Sequence, residues 1–223
     1  MTTKKETHVY YEKSNLKRLE ILSQLAPESF SNFFHFNDQI LAEGFLSIKL
    51  KELIAVAVAH VTGCVYCIDL HVTAVKKAGA SKEELSEAIF VATALKAGSA
   101  FAHSVNALNA YDDNRDDDLY KASYFERIKE FARINQQDFS SFIDFDKQAL
   151  TAGALTAREK ELIAIAVAHV TGCPYCIDLH VKAAKKLDIR LEEISEAIFV
   201  AVALKAGSAL AHSVNALEAY ERH

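Results

Sequence analysis

The chain has 223 residues, room for one or two domains, with a net charge of −5 and a calculated pI near 6.0. It is 51% hydrophobic and 25% charged, the balance of a soluble globular protein. No cluster of Lys and Arg forms a phosphate-binding stripe, so nucleic acid is not an expected partner.

Two prolines and seven glycines among many Ala, Leu, Glu and Lys predict an all-α chain. Alternating runs of β-branched and aromatic residues, the mark of strands, are missing. The opening MTTKKETHVYYEK has no apolar core of the kind a secretory leader carries. From Phe30 the chain becomes periodic: Phe30, Phe33, Phe34, Ile40 and Leu41 share one stripe of a helix ending near Gly44. This aromatic stripe reads as core rather than as a pocket wall. A second helix starts after Ser47 and runs to Thr62-Gly63, and a third runs from Cys64 to near Gly79. Ser81 and Glu84 have capping-box spacing and open a fourth helix, which continues through IFVATALKAGSAFAHSVNAL. Neither face of that segment is clearly polar, so deep burial is expected, and its small residues suit close packing on another helix or subunit. The most apolar runs, Leu53–Val61 and Leu162–Val170, are about half a membrane span in length. A soluble, cytoplasmic protein without a membrane partner is expected.

The whole pattern then returns. Residues 46–111 match residues 155–220 at 49 of 66 positions without a gap, an offset of 109 that also pairs Phe30, Phe33, Phe36 and Gly44 with Phe139, Phe142, Phe145 and Gly153. Two tandem repeats, residues 1–111 and 119–223, are joined by the acidic linker 112–118, where five of seven residues are Asp. In the second copy Thr156 and Glu159 have capping-box spacing. Each repeat has more apolar helix surface than it can cover alone. Burial between the halves, and then between subunits of a homo-oligomer, is expected.

All four cysteines lie in two Cys-x-x-Cys pairs, a spacing for redox chemistry or metal rather than for stapling loops. Each copy holds one constellation: Glu52, His60, Cys64, Cys67 and His71, repeated as Glu161, His169, Cys173, Cys176 and His180. Pro174 suits a first helical turn, which puts Cys173, and by the repeat Cys64, at a helix N-terminus that stabilises a thiolate. His71 is one turn beyond Cys67 on the same face and can take a thiol proton near neutral pH. These two considerations favour different attacking cysteines, Cys64 by the helix end and Cys67 by the histidine. The histidine's proximity is given more weight. In a single straight helix Glu52 would lie about 18 Å from Cys64. Should the chain reverse at Thr62-Gly63, Glu52 and His71 return to the same height and can form a Glu–His–Cys relay. His60 and His169 are possible additional bases or ligands. His103 and His212, on an Ala-rich face, are read as packing residues.

The motif Glu-x11-Cys-x2-Cys-x3-His within ELIAVAVAHVTGCVYCIDLH resembles the active-site signature of the AhpD-like branch of the carboxymuconolactone decarboxylase family. Both copies match it, over about residues 30–111 and 139–220. The resemblance implies an AhpD-like helical bundle, a trimer of two-repeat chains, and reduction of alkyl hydroperoxides in antioxidant defence with electrons from an external dithiol. It assigns the relay to Glu52, Cys64, Cys67 and His71, and to Glu161, Cys173, Cys176 and His180. In that scheme His71 deprotonates Cys67, the peroxide oxidises Cys67 to a sulfenic acid, and Cys64 closes the disulfide. No cofactor and no resident metal are expected. The decarboxylase branch lacks the cysteine pair. The competing readings are a zinc site built from His60-x3-Cys64-x2-Cys67-x3-His71, and a thiol–disulfide oxidoreductase without peroxidase activity.

Overall fold

The computed structural model describes residues 9–114 and 117–222, so the expected linker 112–118 and the two repeat boundaries fall partly outside the described residues. Ten α-helices make up most of it: α1 (Leu19–Leu25), α2 (Pro27–Leu41), α3 (Ile48–Thr62), α4 (Val65–Lys77), α5 (Lys82–Tyr111), α6 (Ile128–Ile134), α7 (Gln136–Leu150), α8 (Ala157–Thr171), α9 (Pro174–Lys186) and α10 (Leu191–Glu221). No strand occurs among the described residues, and the chain is all-α as its composition predicts. A 3-10 turn precedes α1 at Lys13–Arg18 and α6 at Ala122–Arg127. The 109-residue offset therefore holds through segments whose sequences, KSNLKRLEILSQL and ASYFERIKEFARI, have diverged.

Local chemistry sets the helix ends. The Ser47 hydroxyl accepts from the Leu50 N–H, and Ser81 with Glu84 and Thr156 with Glu159 cap α5 and α8 reciprocally. Pro27 and Pro174 open α2 and α9, where a missing N–H costs nothing. Gly63 and Gly172, at φ 71° and 70°, end α3 and α8 in the left-handed region and turn the chain back on itself.

The centre of the molecule is α3 against α8. Leu53 to Ala59 and Ile163 to Ala168 have no exposed surface, because these stretches of the two helices are apolar on every side. Around this pair the halves cross over. α2 and α4 of the first half pack on α10 of the second, while α7 and α9 of the second pack on α5 of the first. One continuous core draws on both repeats.

Two carboxylates lock the crossing. Glu196 on α10 accepts the backbone N–H groups of Phe45 (2.9 Å) and Leu46 (2.8 Å) and pairs with buried Lys51 at 3.0 Å. Glu87 on α5 does the same with Ala154 and Leu155 (2.9 Å each) and Lys160 at 3.0 Å. Burial opposes ionisation of both, yet the backbone donors and the lysine hold each carboxyl below the usual glutamate range. Each lysine also donates to a carbonyl, Ala42 or Thr151, so neither buried ammonium is left unsatisfied. Gly44 and Gly153 sit against these carboxylates, where a Cβ would overlap them.

The structure corrects one expectation about the long helices. α5 and α10 are not buried on all sides; each buries a stripe (Ala88, Val91, Ala92 and Leu95 on α5) and leaves Phe90, or Phe199 and Val202, about half exposed. By length and composition alone both helices are long and apolar enough to cross a membrane.

Candidate active site

The reversal at Gly63 lays α4 antiparallel to α3 and returns His71 to the height of Glu52. His71 Nδ1 lies 2.7 Å from Glu52 Oε2, and both side chains are buried. The second copy repeats the pair, His180 Nδ1 to Glu161 Oε2 at 2.9 Å. A carboxylate on Nδ1 fixes the ring's orientation and leaves Nε2 for another group.

Cys64 and Cys173 are the N-caps of α4 and α9, and each sulfur accepts the backbone N–H of the second cysteine at 3.2 Å. Both pairs are closed as disulfides, with Cα atoms 5.3 Å apart. The two sulfurs of a pair differ in access. Cys64 and Cys173 have no exposed surface, whereas Cys67 and Cys176 are on the walls of cavities.

Those cavities measure about 180 Å³ beside Cys67 and about 250 Å³ beside Cys176. Each is assembled from both halves. The first takes Phe33 and Phe34 from α2, Leu16 and Leu19 from the preceding turn and α1, and Leu204, Gly207 and Leu210 from α10. The second takes Phe139, Phe142 and Ile143 from α7, Phe125 and Ile128 from the equivalent turn and α6, and Leu95, Gly98 and Phe101 from α5. At Gly207 an added Cβ would meet the Phe33 ring at 3.6 Å, and at Gly98 the Phe142 ring at the same distance, so these positions bring the crossing helix close to the phenyl groups.

The apolar stripe of α2 is divided: Phe33 and Phe34 wall the cavity, against the expectation of core, while Phe36, Ile40 and Leu41 pack half-buried on the core. Its apolar period is the same in either role, so spacing alone does not separate them. His103 and His212 are not packed in an Ala-rich interior either. His103 Nδ1 is 3.0 Å from the Tyr120 hydroxyl, and the Tyr120 ring meets, at a tilt, that of Tyr175, the residue before Cys176. His212 lies edge-on to Tyr11, which meets Tyr66 before Cys67. Each reaches the other half's site through a tyrosine pair.

His60 and His169 are not brought to the cysteines. Their Nδ1 atoms face the carbonyls of Val56 and Ile165, one turn back, at 2.8 Å. His60 lines a separate depression with Val61, Thr93 and Lys96. Among the described residues no three His, Cys, Asp or Glu side chains are arranged to hold a metal ion.

One polar position differs between the cavities. Asn37 lines the first and Asp146, 109 residues later, the second. Burial pushes the Asp146 carboxyl above the usual aspartate range, with His180 opposing and Glu161 reinforcing the shift. In the sequence FIDFDK this residue reads as part of a solvated helix face. The signal that could have found it is the Asn-to-Asp change inside an otherwise repeated stripe.

A comparison with known families and proteins fits this geometry. The profile of the carboxymuconolactone decarboxylase family matches residues 27–110 and again 139–219. A protein of Paracoccus denitrificans described as "Uncharacterized protein 4 in cox locus" is 46% identical over 81 residues, which cover 36% of this chain and 73% of that protein.

Proposed function

Because this chain belongs to the carboxymuconolactone decarboxylase family, we propose that it is a thiol-dependent peroxidase that reduces alkyl hydroperoxides at two sites. The observation that carries this reading is the pairing, in each half, of a carboxylate-held histidine with a cysteine pair whose second sulfur opens on an apolar cavity. His71 and His180 accept the protons of Cys67 and Cys176. The thiolates attack the peroxide, and Cys64 and Cys173, buried directly behind, close the disulfides. An external dithiol then reduces each disulfide. Apolar walls suit the organic half of an alkyl hydroperoxide better than they suit a polar substrate. A cytoplasmic setting, where thiols are kept reduced, and a homo-oligomer, a trimer above all, complete the proposal.

The test is turnover of hydroperoxide with a dithiol donor. The double variant Cys67→Ser with Cys176→Ser is expected to lose it, and undiminished turnover would remove this site assignment. A thiol–disulfide oxidoreductase without peroxidase activity is the second reading, since the same relay activates a thiol for disulfide exchange. It is the outcome if the reduced protein exchanges with disulfides but is inert to peroxide.

A further inference from the structure

The two cavities repeat each other in walls and relay, but at one position the repeat exchanges an amide for an acid. Asn37 on α2 and Asp146 on α7 each line the cavity that holds the second cysteine and the relay histidine of their half. Apart from the tyrosine and that histidine, they are the polar side chains among the lining residues. Asp146 is half-buried, and the groups facing it come from three sides. α9 offers Cys176, His180 and Tyr175; α8 offers Glu161; α5, the 3-10 turn and α6 offer apolar side chains such as Phe101, Phe125 and Ile128.

The chemistry of the site has an unfilled role. A thiolate that attacks a hydroperoxide expels an alkoxide, and a simple alkoxide is a poor leaving group unless a proton reaches it. The relay histidine is already occupied with the thiol proton. Building on the peroxidase reading above, we propose that Asp146 is the general acid of the C-terminal site, giving its carboxyl proton to the alkoxide released by Cys176. Asn37 cannot do this in the N-terminal site, because an amide can hydrogen-bond to the departing oxygen but has no acidic proton to give.

The step balances. The Cys176 thiolate bonds to the terminal oxygen of ROOH and the O–O bond breaks. The sulfur gives up two electrons, and RO⁻ leaves with the bonding pair. The hydroperoxide's own hydrogen stays on the sulfenic acid, and the Asp146 proton converts RO⁻ to ROH. The Cys173 thiol then displaces the sulfenic oxygen as water, and the proton His180 took from Cys176 returns to Asp146. A carboxyl that burial keeps protonated to higher pH than an exposed aspartic acid is suited to the role.

The test uses the full chain with one site silenced by Cys64→Ser and Cys67→Ser, reduced and mixed in single turnover with either tert-butyl hydroperoxide or peracetic acid. Acetate leaves without needing a proton. Asp146→Asn is expected to slow loss of the Cys176 thiol about 100-fold with tert-butyl hydroperoxide and to change the peracetic acid rate by less than about twofold. In the complementary chain, silenced by Cys173→Ser and Cys176→Ser, Asn37→Asp is expected to speed the tert-butyl hydroperoxide reaction alone. Equal losses with both oxidants would make Asp146 a positioning residue and overturn the proposal, as would no loss with either. A silenced parent that reacts with neither peroxide, yet still reduces an aromatic disulfide through Cys176, would instead refute the peroxidase reading, and the general-acid role falls with it.

Discussion

The N-terminal and C-terminal sites are built from nearly the same residues, yet they are not the same environment. Both hold a Glu–His pair, a buried first cysteine and a cavity-facing second one. The N-terminal cavity is smaller and carries Asn37, Phe34 and Leu210, where the C-terminal one carries Asp146, Ile143 and Phe101. The difference teaches where a duplicated fold is free to change. α3, α4, α8 and α9 supply the relay, whose Glu, Cys and His residues repeat unchanged, while their core positions accept only apolar exchanges such as Val56 for Ile165 and Val75 for Ala184. At the cavity-facing positions of α2, α7, α5 and α10 one apolar group replaces another and an amide becomes an acid, as Phe34 with Ile143, Leu210 with Phe101 and Asn37 with Asp146 show.

Crossing over makes the comparison sharper, because each site borrows a wall from the other half. The largest expected effect is therefore at the cysteines themselves. Cys67→Ser alone should silence the N-terminal site and leave C-terminal turnover intact, and Cys176→Ser should do the reverse. Assaying the two variants separately gives each site's share, and a single substitution that abolishes all turnover would mean that only one site works. Next in size come Glu52→Gln and Glu161→Gln, each expected to slow thiolate formation at its own site about 100-fold, with the other site unaffected. Alkylation rates followed cysteine by cysteine would show this.

The stabilities of the two clamps can then be compared. Gly44→Ala and Gly153→Ala drive a methyl into the Glu196 and Glu87 carboxylates respectively, and each should cost about 1–3 kcal/mol. Thermal unfolding should show nearly equal losses, since the two clamps match contact for contact. A large inequality would break the equivalence of the halves. The smallest effect concerns Asp146. A carboxyl whose value is raised on folding binds a proton more tightly in the folded chain, so its ionisation at higher pH works against stability. Asp146→Asn should therefore raise the melting temperature at pH 8 by more than it does in acid, where the carboxyl loses its charge and the penalty with it. Asn37→Asp should lower it at pH 8.

Much of the molecule was legible from residue types. Ser47, Ser81 and Thr156 announce their helix starts, because a hydroxyl that can reach an orphan N–H is a local matter. Gly63 announced the reversal for the same reason, and the reversal brought Glu52 to His71. The crossing of the halves was not legible. Periodicity shows that Ala88, Val91 and Leu95 share a face, but not that α5 packs on α7 and α9 of the other half as well as on its own α3. For the same reason spacing does not show that Phe33 walls a cavity beneath α10, or that His103 meets Tyr120 of the other half. The paired turns before α1 and α6 were hidden for a different cause. Their backbones repeat while their side chains have diverged, so identity at the 109-residue offset could not show them.

The most direct measurement is a titration of the fully reduced protein with alkyl hydroperoxide in the absence of any donor. If both pairs work as described, two equivalents of peroxide are consumed per chain, four thiols disappear, and mass analysis finds Cys64–Cys67 and Cys173–Cys176 as the disulfides. Thiols that persist in excess peroxide under conditions where the protein is folded would contradict it.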